Sequence, residues 1–400
     1  MLRLVISHCK VILAQQNSQR LLALDVFRGI TITAMILVNN PGSWQHIYAP
    51  MEHAVWHGWT LTDLIFPFFI FIVGVAIPLS SSKQLAKGQP RALVLRQGLV
   101  RSLKLILLGW FLALFYYNFS AEHYDWIEQR LLQMRVMGVL QRIGLVYFLC
   151  LGLYLYLSKR WLFISFVVIL LAYSCALLFI PYQDSAGNHY VGLLEFGNNL
   201  CAWFDSQVFS APHLYYKNAL PFAFDPEGLL STLPAVASGL SGIFAGQLLL
   251  SDKYLQLTKI KMLLGLGLLA VLAGEFWALW LPINKALWTS SYVLLSSGYA
   301  CLTLAILIFV LDVKNVKNWS APFVVFGANS IAFFMFAGVV GRVIIMLPVG
   351  DTSLKGWLYI QIYQPVWGDL NGSLAFALSF LILSYAVMYG MYRKGIFWKV

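Results

Sequence analysis

The chain has 400 residues, of which 60% are hydrophobic and only 11% charged, and its mean hydropathy is +0.75. A soluble globular protein, a disordered chain and a coiled coil are excluded, because a water-facing surface needs far more Asp, Glu, Lys and Arg than this. The formal net charge of +11 does not indicate nucleic acid, since the basic residues fall in small groups between apolar runs and form no single patch.

Taken in chain order, ten runs reach the roughly 20 residues needed to cross a hydrocarbon core as a helix. They are 22–40, 60–80, 98–117, 137–157, 161–180, 228–249, 261–281, 288–310, 320–347 and 372–392. Most are almost uniformly apolar, without the alternation of a barrel strand, which predicts an all-α polytopic helical bundle in a lipid bilayer. Residues 1–20 hold only short apolar stretches such as Val11 to Ala14, too brief for a signal-peptide core. They read as a cytoplasmic lead-in to one transmembrane domain over 21–400. The longest connection, about 181–227, mixes aromatic residues with Asp184, Glu195, Asp205, Asp225 and Glu227; its length suits a functional loop or a passive cap equally. No internal repeat is visible, which weakens an inverted-repeat transporter.

With a cytoplasmic N-terminus, nineteen Lys and Arg residues fall on the cytoplasmic side and five on the other. The positive-inside rule therefore predicts that both termini are cytoplasmic. Cys9, Cys150, Cys175, Cys201 and Cys301 have neither CxxC nor metal-ligand spacing and read as packing residues. Small-xxx-small spacing at Ser238, Gly242 and Gly246 admits close helix contact within one protomer or in a homodimer.

A charge inside a bilayer costs at least about 2.5–3.5 kcal/mol on insertion scales, so each needs its own reason. Asp25 and Arg28, at i and i+3, suit an internal ion pair or a ligand contact. Arg142 has no acidic neighbour in sequence and needs a distant partner, Asp25, Asp63 or Glu275, or the phosphates of a bound anion. Glu275 and Arg342 approach outer helix ends, where snorkelling explains them.

Six of the seven histidines belong to outer segments, and His46, His53 and His57 crowd the connection between the first two spans. If that connection is helical, His53 and His57 share a face and could ligate a metal, but no third ligand has clear spacing, so no metal is expected. The other reading is proton transfer. A His base, the carboxylate of Asp63 and the amide of Asn39 converge at the outer boundary; together they could deprotonate an amine and donate to an oxyanion, or simply cap helix ends beside water.

Three runs carry a resemblance: Leu22-Ala-Leu-Asp25-Val-Phe-Arg28-Gly-Ile, Met35-Ile-Leu-Val-Asn39, and His53-Ala-Val-Trp-His-Gly-Trp-Thr-Leu-Thr-Asp63 with the Phe-rich stretch to Gly74. Further matches are Gly138-Val-Leu-Gln-Arg142-Ile, Phe224-Asp-Pro-Glu-Gly, Pro282-Ile-Asn-Lys285-Ala-Leu-Trp288, Gly327-Ala-Asn-Ser330 and the terminal Tyr392-Arg-Lys-Gly. Their number and order from Leu21 onward resemble the heparan-α-glucosaminide N-acetyltransferase family, including its bacterial inner-membrane branch.

The resemblance implies acetyl transfer from cytoplasmic acetyl-CoA to the amino group of a glucosamine unit across the membrane. Its active-site histidine maps onto His53, its asparagine onto Asn39 and its aspartate onto Asp63. Asn40-Pro41 departs from the family's glycine-rich stretch, and the missing large N-terminal domain favours a small amino sugar over a polymer. For CoA phosphates the candidates are Arg28, Arg142, Arg393 and Lys394. For the sugar they are Asp225 and Glu227, with Trp288 as a stacking face. His53 could act as base with both substrates bound, or carry the acetyl group itself. The competing class is a secondary transporter of an amino sugar or other small polar solute, which ten helices and buried charges also suit.

Overall fold

The computed structural model describes residues 9, 12, 13 and 21–398; most of the expected lead-in lies outside the described residues. The helices are α1 (Leu22–Asn39), α2 (Ile65–Ala86), α3 (Arg91–Leu114), α4 (Val139–Tyr156), α5 (Lys159–Phe179), α6 (Leu200–Val208) and α7 (Leu229–Leu250). They continue as α8 (Gln256–Trp277), α9 (Ser290–Ile308), α10 (Ala321–Ala328), α11 (Ser330–Met346), α12 (Leu354–Leu358) and α13 (Gln364–Arg393). Among the described residues nine helices are long and apolar enough to cross a membrane, or ten if the bent pair α10–α11 is one span. The chain is an all-α, multi-pass membrane protein, as its composition predicts.

The span expected at 320–347 is not continuous: its two parts meet at 73°. Asn329 sits at the break, donating from Nδ2 to the Ile396 carbonyl at 2.9 Å and accepting from the Trp398 amide at 3.0 Å. An asparagine engaged with backbone from elsewhere in the chain competes with helix continuation. α3 starts at Arg91, earlier than expected, directly after Pro90. α13 extends well before residue 372 and is interrupted at Gly368, whose φ of 73° is non-helical.

Lipid gives helices little hydrophobic reason to associate, so close backbone approach between small residues matters. A Cβ on Gly74 would lie 2.0 Å from the Gly239 carbonyl oxygen, and one on Gly242 would lie 2.1 Å from that of Phe71. The small-residue stripe of α7 is thus used inside the protomer, against α2. α1 and α10 meet in the same way: a Cβ on Gly29 would fall 1.8 Å from the Phe323 carbonyl oxygen, and one on Gly327 would fall 2.1 Å from that of Asp25. Serines add specific bonds, Ser102 to the Gly144 carbonyl between α3 and α4 at 2.8 Å, and Ser241 to Ser297 between α7 and α9 at 2.9 Å. The Tyr392 hydroxyl donates to the Ile12 carbonyl at 3.1 Å, joining the C-terminal helix to the start of the chain.

The 181–227 connection is folded. It holds two antiparallel two-residue ladders, β1 (Tyr182–Gln183) with β2 (His189–Tyr190) and β3 (Leu194–Glu195) with β4 (Asn198–Asn199), and then α6. A third ladder, β5 (Pro348–Val349) with β6 (Thr352–Ser353), follows α11. Tyr182, Phe222 and Phe224 of the 181–227 connection form an apolar core with Leu281 and Leu287. Trp56 ties the 181–227 connection to the first outer connection, with Nε1 donating to the Leu194 carbonyl at 2.7 Å and its ring edge-on to Phe196 and Phe224.

Candidate functional site

Thr60-Leu-Thr-Asp63 forms a capping box at the start of the 3₁₀ turn Leu61–Leu64 that leads into α2. Asp63 Oδ2 accepts from the Ala54 amide at 2.9 Å and the Thr60 amide at 3.0 Å, with the Thr60 hydroxyl oxygen 3.2 Å away. Oδ1 lies 2.7 Å from Nδ1 of His53. The carboxylate is buried and the imidazole is half exposed. The loop carrying His53 is held by Thr60 Oγ1 donating to the Glu52 carbonyl at 2.6 Å and by Thr62 Oγ1 donating to that of Pro50 at 3.2 Å.

Residues 53–60 form no helix, so His53 and His57 do not share a helical face. Each has its own neighbours: His57 Nδ1 lies 3.4 Å from Asn284 Nδ2. Among the described residues no group of three or more His, Cys, Asp or Glu side chains is placed to hold a metal ion.

Asn284 also donates to the Trp56 carbonyl at 2.9 Å, and the Gly58 amide donates to the Ile283 carbonyl at 2.8 Å. These bonds lock the 281–289 loop against the first outer connection and set Lys285 beside the pair. Its Nζ lies 3.0 Å from His53 Nδ1, 3.4 Å from His53 Nε2 and 3.4 Å from Asp63 Oδ1. Burial holds the Lys285 ammonium below its ordinary value, against the pull of Asp63 and Glu227.

A cavity of about 260 Å³ is lined by Asn39, His53, Asp63, Arg135, Tyr215, Tyr216, Glu227 and Lys285, with apolar residues between them. Across it, Arg135 donates from Nε and Nη2 to the two oxygens of Asp225, each at 2.6 Å, and from Nη2 to Glu227, while its guanidinium lies over the Tyr215 ring at 4.6 Å. Burial pushes Glu227 up, but Arg135 first, then Arg142 and Lys285, outweigh it and hold the carboxyl below its ordinary value. Behind them Asp205 accepts from the amides of Asp225 and Leu229 at 3.2 and 3.1 Å. Its burial pushes its carboxyl up to about 7.

The expected site residues divide into three groups. Asn39, His53, Asp63 and Glu227 share the cavity. Asp225 is buried behind Arg135, and Trp288 is wholly buried and not on the wall, its Nε1 bonded to Ser238 at 3.1 Å beneath the Arg142 guanidinium at 5.1 Å. Arg142 lies one turn into α4, also wholly buried; Nη2 bonds the Gly228 carbonyl and Ser231, whereas Nε and Nη1 have no hydrogen-bond partner among the described residues. It therefore sits near the His53 end of the bundle, away from the helix ends where CoA phosphates were expected.

Arg28, Arg393 and Lys394 form the third group. Arg28 pairs with Asp25 at 3.4 Å, while Arg393 and Lys394 are exposed at the end of α13. Lys285, Arg135, Tyr215 and Tyr216 were not singled out by sequence reasoning. The signal available for Lys285 was its place in the quoted run Pro282 to Trp288, and for Arg135 its proximity in sequence to Gly138-Val-Leu-Gln-Arg142.

A multi-pass helical membrane protein with a His–carboxylate–lysine site at one end of the bundle is the class defined so far. Residues 20–275 match the family model described as heparan-alpha-glucosaminide N-acetyltransferase, catalytic, and the chain belongs to that family. It is similar to heparan-alpha-glucosaminide N-acetyltransferase of Homo sapiens, 28% identical over 423 residues that cover 95% of this chain and 60% of the relative. The protein of the same name from Mus musculus is 27% identical over 435 residues, covering 96% and 61%. The chain thus spans about three fifths of the length of the curated relatives it matches. Lys285, Trp288, Arg393 and Lys394 lie beyond the part matched by the family model.

Proposed function

We propose that the chain is a membrane-embedded N-acetyltransferase. It moves an acetyl group from cytoplasmic acetyl-CoA to the amino group of glucosamine or a related amino sugar at the periplasmic side of a bacterial inner membrane. One observation carries the reading: a half-exposed imidazole, the buried carboxylate that orients it and the exposed amide of Asn39 share one cavity.

An amine has to lose a proton as it attacks a carbonyl. With Nδ1–H donated to Asp63, His53 Nε2 is the proton acceptor; Asn39 donates to the developing oxyanion, and His53 then returns the proton to the departing sulfur. The acyl donor supplies the activated thioester, and Arg28, Arg393 and Lys394 are suited to its anionic end. Arg28 and Asn39 are separated by eleven residues of α1, about 16 Å along a helix axis, a span that suits a long, thin acyl-carrier arm. Glu227 attracts the sugar ammonium. Tyr215 and Tyr216 supply the stacking surface first sought in Trp288, and Asp225 acts through Arg135.

Purified protein given acetyl-CoA and glucosamine should yield N-acetylglucosamine and free CoA. His53→Ala should cut the rate by about 10²–10⁴-fold. An unchanged rate in that variant would reject His53 as the base. Absence of turnover with every amino sugar, with labelled glucosamine entering proteoliposomes without acetyl-CoA, would return the chain to the transporter class.

A further inference from the structure

We infer that Lys285 is a self-acetylation site: a primary amine of the protein, held where the acceptor amine must come, that takes the acetyl group when no sugar occupies the cavity. The inference rests on the acetyl-transfer reading above. Three observations support it. Nζ lies 3.4 Å from His53 Nε2, the ring nitrogen left with the lone pair, so the base that would deprotonate a substrate amine is in reach of this one. Lys285 lines the same cavity as Asn39, Asp63 and Glu227, so it shares the space in which an acyl group would be delivered. Its burial favours the neutral, nucleophilic amine.

The step balances without any added reagent. Nζ attacks the thioester carbonyl, the C–N bond forms as the C–S bond breaks, His53 takes the proton from nitrogen, and the thiolate leaves as free CoA after receiving it. Tethering the amine beside the base makes the reaction intramolecular on the acceptor side, which raises its effective concentration. The product, an amide, can no longer take up a proton and carry charge. Asp63 then keeps His53 but loses the lysine amine that can carry charge beside it, and the acetamide occupies acceptor space, so activity falls in step with modification. The lysine thereby acts as a brake when acyl donor is abundant and acceptor scarce.

The test uses the intact purified protein with acetyl-CoA alone, followed by peptide mass spectrometry of Lys285 and, as an exposed comparison on the outer segments, Lys217. A stable acetyl mass on Lys285 should build up to about tenfold the occupancy of Lys217, resist hydroxylamine, which strips acetyl-imidazole, and be suppressed by glucosamine. In His53→Ala it should form roughly a hundredfold more slowly. Lys285→Arg, which keeps the cation, should abolish the stable label and the time-dependent loss of activity.

Equal labelling of Lys285 and Lys217 would mark background chemistry and overturn the inference. So would an unmodified Lys285 in a preparation that acetylates glucosamine, an outcome that leaves the proposed function intact. Modified Lys285 without turnover of any sugar would support the site and reject the amino-sugar acceptor.

Discussion

Asp63 divides its carboxylate between two tasks: Oδ1 meets His53 Nδ1 at 2.7 Å, while Oδ2 accepts donors from Ala54 and Thr60. The residue that starts a membrane helix also fixes the orientation of the candidate base. Its tautomer follows, because an ionised carboxylate is an acceptor only, leaving the proton on Nδ1 and the lone pair on Nε2.

Neutralising that carboxylate separates the two tasks. Asp63→Asn should lower kcat by about 10³–10⁴-fold by presenting the wrong partner to Nδ1. Thr60→Ala removes the cap hydroxyl and its bond to the Glu52 carbonyl but keeps the Asp63 carboxylate on His53, and should cost roughly 1 kcal/mol of stability with a much smaller loss of rate. Steady-state kinetics beside thermal unfolding in detergent distinguish the two; equal rate losses would show that Asp63 acts only through the helix start.

Aromatic residues near the site should also separate by assay. Tyr215 and Tyr216 line the cavity, so Tyr216→Ala is expected to raise KM for the sugar several-fold with kcat largely kept. Trp288 is wholly buried under Arg142. Trp288→Ala should instead destabilise the protein by about 3–5 kcal/mol, seen as a lower melting temperature. A KM effect confined to Trp288 would reverse this assignment.

The Asp205 carboxyl, raised from 3.8 to about 7 by burial, gives the outer loop a pH dependence. The folded state holds its proton more tightly than the unfolded state. Its contribution is therefore full below the unfolded value and lost as pH rises through about 7, by up to about 1.4 kcal/mol per pH unit. Thermal stability of the wild type should fall between pH 5 and 7, and Asp205→Asn should flatten that slope. A slope unchanged in the variant would assign the effect to other groups.

At the α2–α7 contact, Gly74→Val places atoms where even a Cβ would lie 2.0 Å from the Gly239 carbonyl oxygen. The helices must separate, with a loss of about 1–3 kcal/mol or more. Gly265→Val, at an open position of α8 where an added Cβ meets nothing within 4 Å, should leave the melting temperature nearly unchanged.

What the sequence made legible follows from which signals are local. Spans are, because a run of apolar residues declares itself, and so is the nearness of His53 and Asp63, ten residues apart in the chain. The break at Asn329 is not: its cause lies in backbone bonds to Ile396 and Trp398, 67 and 69 residues away, inside a stretch that reads as continuously apolar. Lys285 escaped notice for the same reason, its neighbour His53 being 232 residues distant in the chain. Trp288 looked available because it stands at the outer start of the run expected over 288–310. Its φ of 51°, a left-handed conformation uncommon outside glycine, and its contacts with Ser238 and Arg142 are features of the folded loop.

The backbone-to-backbone seam between α1 and α10 makes α1 a strut. Gly29 and Gly327 leave no slack for α1 to slide or tilt alone, so the spacing between Arg28 and Asn39 is that of a rigid rod. The two outer loops bearing His53 and Lys285 are in turn clasped to each other by bonds such as Gly58 to Ile283.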